Sequence, residues 1–114
     1  MHELSLAAEL VAVAEEAARA AGAARVTAVR LRIGDLSGVA VDALRFAYDV
    51  VTAGTLLAGS RLDAVRVPAA VYCPRCERVA ELASVQDFRC PACGTPTGDV
   101  RAGRELEIDT LDVE

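Results

Sequence analysis

Two copies of one short unit, Cys73-Pro74-Arg75-Cys76 and Cys90-Pro91-Ala92-Cys93-Gly94, stand 13 residues apart in a chain of 114 residues. Nothing else in the sequence restricts the fold as much. Cysteines three positions apart on a tight turn can present both sulfurs to one ion, because the amides of the turn point toward the sulfurs and a small residue such as Gly94 relieves crowding. Two such turns supply four sulfurs for a tetrahedral site, which suits zinc. Their separation is slightly short for paired C-x2-C units, yet the pattern still reads as a metal site. Residues 70–98 hold all four cysteines and three of the four prolines, with little apolar content. They are predicted to form an insertion whose folding free energy comes from the metal. Four cysteines leave no open coordination position, and a catalytic zinc needs one, so the site is predicted to be structural. Iron in a rubredoxin-like site uses the same CPxCG turns and stays a chemical rival. A thioredoxin-type redox pair fits less well, since neither CxxC opens a helix after a strand.

The flanking sequence carries ordinary folding periodicities. From Leu4 to Ala21 the polar positions Ser5, Glu9, Glu16 and Arg19 keep helical spacing with Ala12, and Leu6, Leu10, Val13 and Ala17 with Val11, Ala14 and Ala18 fill the other side. This predicts an amphipathic helix stopped by Gly22. Thr27, Val29, Leu31 and Ile33 alternate with Ala28, Arg30 and Arg32 as a strand does, ending at Gly34-Asp35. A second, mostly apolar helix is predicted from about residue 40, through Val41, Leu44, Phe46, Ala47, Tyr48, Val50 and Val51, to a stop at Gly54. Further strands are predicted over residues 61–67, closed by Pro68, and 105–113. Leu106 and Ile108 are out of phase with Leu111 and Val113, which predicts a bulge near Asp109 or Thr110. If the first and last strands pair, Glu107 and Asp109 come opposite Arg30 and Arg32.

Composition narrows the function classes. All 12 basic residues are Arg, against 17 Asp and Glu, for a net charge of −5. An acidic chain without basic and aromatic interleaving is a poor phosphate binder, so no nucleic-acid partner is expected. The 23 alanines and only four aromatic residues predict a core of small aliphatics. Acidic residues interrupt the first helix, so no membrane span is expected, and a start of Met1-His2-Glu3 lacks the basic and apolar segments of a secretory signal. A cytoplasmic location is expected, where cysteines serve metals better than disulfides. No Ser-His or Cys-His pairing is available in the body of the chain, so the protein is not expected to be an enzyme.

The only histidine is His2. A free amine at Met1, a deprotonated amide at His2 and the His2 imidazole can form adjoining chelate rings, three nitrogens in a plane, which Ni(II) or Cu(II) accepts and tetrahedral Zn(II) does not. The amide or carboxylate of Glu3 would complete the set. A lone histidine near a terminus also reads as an ordinary terminal residue, and the residues alone leave both readings open.

The opening Met1-His2-Glu3-Leu4-Ser5-Leu6, the segment Ile33-Gly34-Asp35-Leu36-Ser37-Gly38-Val39, the helix with Leu44-Arg45-Phe46-Ala47-Tyr48 followed by Gly54-Thr55, and the two CxxC turns occur in an order that resembles the HypA/HybF family of hydrogenase nickel-incorporation proteins. The resemblance spans nearly the whole chain. It implies an α+β fold: two helices packed on a small, about three-stranded sheet, with an inserted zinc-ribbon-like domain carrying the two CxxC turns. The expected division is residues 1–69 plus 99–114 as the nickel-binding domain and 70–98 as the structural zinc domain. The resemblance further implies Ni(II) held by Met1, His2 and Glu3, and Zn(II) held by Cys73, Cys76, Cys90 and Cys93. It implies a nickel metallochaperone that works beside a nickel-handling GTPase of the HypB type and delivers nickel to the [NiFe] hydrogenase large-subunit precursor, or in some members to urease. Unlike some members, this chain has no histidine near its cysteines. A zinc-ribbon interaction module of a nucleic-acid or transcription assembly is the alternative from another class, and the sequence leaves the oligomeric state open.

Overall fold

The protein is described from a computed structural model covering residues 2–114; Met1, expected in the nickel site, lies outside the described residues. In chain order the elements are α1 His2–Ala20, β1 Val26–Gly34, α2 Val41–Val51, β2 Arg61–Val67, β3 Ala70–Cys73, β4 Arg78–Glu81, β5 Val100–Ala102 and β6 Leu106–Val113. The strands form two three-stranded sheets, ordered β2-β1-β6 and β4-β3-β5. The expected α+β class, with two helices and a cysteine-bearing ribbon, holds. Helix α1 starts two residues earlier than the apolar periodicity suggested, so His2 and Glu3 belong to its first turn. The three short strands β3, β4 and β5 were not predicted, because strands of three or four residues show too few alternations to register.

The backbone bonds at the strand ends give the directions in the first sheet. Val26 N–H donates to the Leu56 carbonyl just before β2, and Asp35 N–H to the Val67 carbonyl at its end, so β1 and β2 run parallel. Parallel neighbours need a crossover, and α2 supplies it. Arg25 and Glu114 exchange both backbone bonds, and Gly34 N–H donates to the Glu105 carbonyl, so β6 runs antiparallel to β1. Along β6 the half-buried positions pass from Leu106 and Ile108 to Leu111 across two exposed residues, Asp109 and Thr110.

The chain divides into two compact units, the first comprising Met1–Leu31, Val39–Val65 and Glu107–Glu114, the second Arg32–Gly38 and Arg66–Leu106. The second is longer than the cysteine-rich piece 70–98 and includes the Gly34-Asp35-Leu36-Ser37-Gly38 segment.

In the first unit α1 packs against α2, and α1 buries a stripe of Ala7, Val11, Ala14 and Ala18. Side chains this small let helix backbones come close. Leu44, Ala47 and Tyr48 of α2 are buried, with Leu57 and Leu62 completing the core around Val26, Val29 and Leu31. The Tyr48 hydroxyl is satisfied by Ser60 Oγ at 2.6 Å, and its burial pushes the phenol up from its ordinary value. Helix α1 ends as Gly22 predicts: Ala23 N–H bonds the Ala18 carbonyl and Gly22 N–H the Arg19 carbonyl, a Schellman turn. The Glu15 carboxylate accepts from Leu56 N–H at 2.8 Å, and the Arg45 guanidinium donates to the Leu62 carbonyl. The apolar side of each helix is wider than the core it meets. Val13, expected inward, is 59% exposed, and Phe46 is 75% exposed.

In the second unit a close backbone approach organises the Ile33-to-Gly38 segment. Leu36 N–H donates to the Gly103 carbonyl, Ser37 N–H to the Gly34 carbonyl, and the Arg66 guanidinium grips both Asp35 oxygens, its Nη2 at 2.6 Å from Oδ2. A Cβ on Gly34 would lie 2.0 Å from the Gly103 carbonyl oxygen, and one on Gly103 2.7 Å from Ala69 Cα. These are backbone atoms and cannot swing aside. We expect Gly34→Ala to lower stability by about 3 kcal/mol or more. Gly98→Ala, where an added Cβ meets nothing within 4 Å, should change it by less than about 0.5 kcal/mol. Denaturant unfolding of the two variants checks the contrast.

Candidate metal centre

Strand β3 ends on Cys73, and the turn into β4 places Cys76 three residues later, with Cys73 opposite Arg78 across the hairpin. The amide of Cys76 points at Cys73 Sγ, 3.4 Å away. The second turn is built alike. Cys90 N–H donates to the Thr95 carbonyl and Gly94 N–H to the Cys90 carbonyl, with a bridge between Arg89 and Pro96 closing the loop. Both turns need a left-handed residue directly after the second cysteine: Gly94 has φ 78°, and Glu77, in the matching place, has φ 54°.

The two turns bring all four sulfurs within 4.8 Å of one another. Cys73 Sγ lies 3.6 Å from Cys93 Sγ, and Cys76 Sγ 4.0 Å from Cys90 Sγ. All four cysteines are free. A tetrahedral zinc tetrathiolate with bonds of about 2.3 Å has sulfur-to-sulfur edges of about 3.8 Å, so both spacings match such an ion. Cys73 and Cys90 are buried, the other two half-buried.

The acidities follow from this crowding. The Thr95 hydroxyl, 3.1 Å from Cys93 Sγ, and the Thr95 amide stabilise the Cys93 thiolate and bring its pKa down to about 6. Hydrogen bonding to Cys93 in its neutral form, then burial, hold the Cys76 proton, pushing it up to about 12. One sulfur ionises readily and its neighbour resists, as expected of four acids sharing one small volume without a cation. A divalent ion removes that resistance, and the site can therefore hold one.

The sequence also singled out the amino-terminal turn of α1. His2 Nε2 lies 3.3 Å from Glu3 Oε2, with His2 largely exposed and Glu3 mostly covered. The same Glu3 oxygen accepts the amide N–H of Ala40, at 3.3 Å. Ala40 is the N-cap of α2 and has no side-chain cap of its own. Glu3 thus reaches across from another helix to do what a capping-box glutamate does within one. That amide, above all, holds the Glu3 carboxyl below its ordinary 4.5. Sequence reasoning missed Ala40 and Thr95, neither of which carries a motif, since an alanine amide and a threonine beside a cysteine turn gain their roles only by position.

An α+β fold with a four-sulfur site on paired knuckles defines a small metal-handling protein with a zinc-ribbon-like part. The family model described as "Hydrogenase/urease nickel incorporation, metallochaperone, hypA" matches residues 1–113. A hydrogenase maturation factor HypA of Roseiflexus sp. (strain RS-1) is 53% identical over 114 residues, covering 100% of this chain and 93% of its own length. One from Chloroflexus aurantiacus is 47% identical, covering 98% of each chain. Among solved structures, the Ni metallochaperone HypA of Helicobacter pylori shares the fold with a TM-score of 0.68 at 24% identity, over 99% of this chain and 97% of that one. The chain belongs to the HypA family of hydrogenase/urease nickel-incorporation metallochaperones.

The two turns make the same backbone demand, which Gly94 meets without strain and Glu77 does not. Gly94→Ala should cost about 1 kcal/mol, because alanine is strained at positive φ. Glu77→Gly should gain up to about 1 kcal/mol by relieving the same strain. Thermal unfolding of the metal-loaded variants reads both signs.

Proposed function

We propose that this protein carries Ni(II) at its amino terminus, on Met1, His2 and Glu3, and hands it, with a nickel-handling GTPase of the HypB type, to a [NiFe] hydrogenase large-subunit precursor. The observation that carries this reading is His2 beside the Glu3 carboxylate, in the first turn of α1. The first amides of a helix have no intrahelical acceptor, so the His2 and Glu3 amide nitrogens can lose their protons to a metal without breaking a helical bond. Glu3 at His2 Nε2 leaves Nδ1, the ring nitrogen nearer the backbone, free to close a chelate with the His2 amide. Since the Glu3 carboxylate is engaged by Ala40 N–H, its amide is the better nickel donor. A site of main-chain nitrogens and one imidazole opens from one side, which suits a carrier and not an enzyme. Copper exceeds nickel in affinity for such donors, so selectivity rests on supply and on docking.

Cys73, Cys76, Cys90 and Cys93 hold the structural ion, for which Zn(II) fits the donor set and spacing. Bound there, it supplies neutralising charge and folding free energy and leaves no position open for chemistry. The nickel-binding domain is residues 1–69 plus 99–114, and the inserted zinc domain is 70–98. The described helices include none long and apolar enough to cross a membrane.

Metal analysis should find one zinc per chain, and Cys73→Ser should remove it and unfold the ribbon while the helical signal survives. Iron in place of zinc would refute this assignment. Isothermal titration of wild type, His2→Ala and a form extended before Met1 tests the nickel site. Nickel binding should vanish in both altered forms, with zinc content and thermal unfolding unchanged, and equal binding in all three refutes the site. Mild acid should release nickel, because protons compete with the metal for its nitrogen donors. The Glu3 bond to Ala40 persists there: a depressed carboxyl stabilises the fold above its ordinary range, and that contribution is lost only below pH 4.5.

A further inference from the structure

The first unit leaves apolar surface uncovered beside the amino-terminal turn. A groove of about 350 Å³ between α1 and α2 is lined by Glu3, Leu4, Ala43, Phe46, Ala47 and Val50. Phe46 is 75% exposed, Val50 54% and Leu4 43%. Ala43, Phe46 and Val50 recur at helical spacing on α2, so they form one stripe. Exposed aromatic and aliphatic side chains lining a pocket are the usual anchors of protein interfaces. The volume accommodates one or two side chains.

Charge narrows the occupant. At 100° per residue Asp42 and Asp49 lie together along one side of the stripe, next to Phe46, and Glu3 lines the groove. The first unit has five Arg against eleven Asp and Glu, net −6, whereas the second has seven Arg against six, net +1. A second copy of this chain would set Glu3, Asp42 and Asp49 against their own equivalents, and a nucleic acid would be repelled. The acidic rim fits a segment whose apolar anchor is flanked by Lys or Arg.

We propose that this groove docks a basic, amphipathic segment of the protein partner that exchanges nickel with the amino terminus, a proposal that rests on the carrier reading above. Glu3 lines the groove and also touches His2. A segment seated there therefore lies one side chain from the ion, where a donor or acceptor of nickel needs to be. The apolar anchor gives residence, and the acidic rim steers encounter and makes it salt-dependent.

The test is binding of the nickel-handling GTPase of the same organism to the full chain, measured by titration calorimetry at low and high salt. Phe46→Asp should weaken binding about tenfold or more. The double charge reversal Asp42→Arg, Asp49→Arg should weaken it mainly at low salt, and Val13→Asp, exposed on α1 outside the groove, should leave it unchanged. Circular dichroism verifies folding, which the exposed positions predict. Equal binding by Phe46→Asp and Val13→Asp overturns the proposal, as does a wild type that fails to bind the GTPase. Self-association of wild type that Phe46→Asp abolishes assigns the groove to a second copy and likewise overturns it. Nickel titration of wild type separates the two readings: Phe46-dependent GTPase binding by a protein that takes up no nickel supports the docking site and refutes the carrier.

Discussion

Sulfurs 3.6 and 4.0 Å apart cannot all ionise without a cation between them, and the second unit has little else to hold it together. Its buried side chains among the described residues are Ile33, Ala69, Ala70, Val71, Cys73 and Cys90. Such a set contributes far less than the entropy of ordering the 48 residues of that unit demands. The four-sulfur site therefore cross-links the ribbon in place of a core. The split acidities, Cys93 brought down to about 6 and Cys76 raised to about 12, record the same constraint in the absence of an ion. Hydrogen bonds from Thr95 favour the Cys93 thiolate, while Cys76 holds its proton.

Two close approaches fix what surrounds this site and the amino terminus. In the second unit, backbone meets backbone at Gly34 and Gly103, and the Arg66 fork on Asp35 holds the segment that follows. In the first, the Glu3 carboxylate joins the start of α1 to the uncapped start of α2. A charged acceptor at a helix N-terminus meets both the orphan amide and the positive end of the dipole. The residue proposed to present nickel is thereby set at a defined place on the helical pair. That same pair leaves Phe46 in solvent, because α2 buries only the side that carries Leu44, Ala47 and Tyr48.

The charge distribution suits a division of labour. The acidic unit bears His2, Glu3 and the apolar groove, and the near-neutral unit bears the sulfurs. A protein that keeps one ion for its own folding and carries another needs donor sets that do not compete. Tetrahedral thiolates and planar nitrogens differ in both softness and geometry.

Local pattern was enough to read much of this fold. The strand over residues 61–67, the turn at Gly22, the apolar α2 and the four-cysteine cluster are each set by neighbours within a few residues, through periodicity, a left-handed stop or ligand spacing. The order of segments along the chain, from Met1-His2-Glu3 to the second CxxC, also identified the family. Other features depended on contacts between distant residues. Periodicity could mark Phe46 and Val13 as apolar but could not say which apolar side chains the facing helix would cover. No spacing rule links Glu3 to Ala40, 37 positions away, or Gly34 to Gly103. The sequence by itself determined which four cysteines can share one ion and where the two helices and the longer strands run, because ligand spacing and periodicity are local. Only the tertiary structure decided which carboxylate is already engaged, which glycines touch and which hydrophobic side chains stay in water, because each depends on what the fold brings alongside.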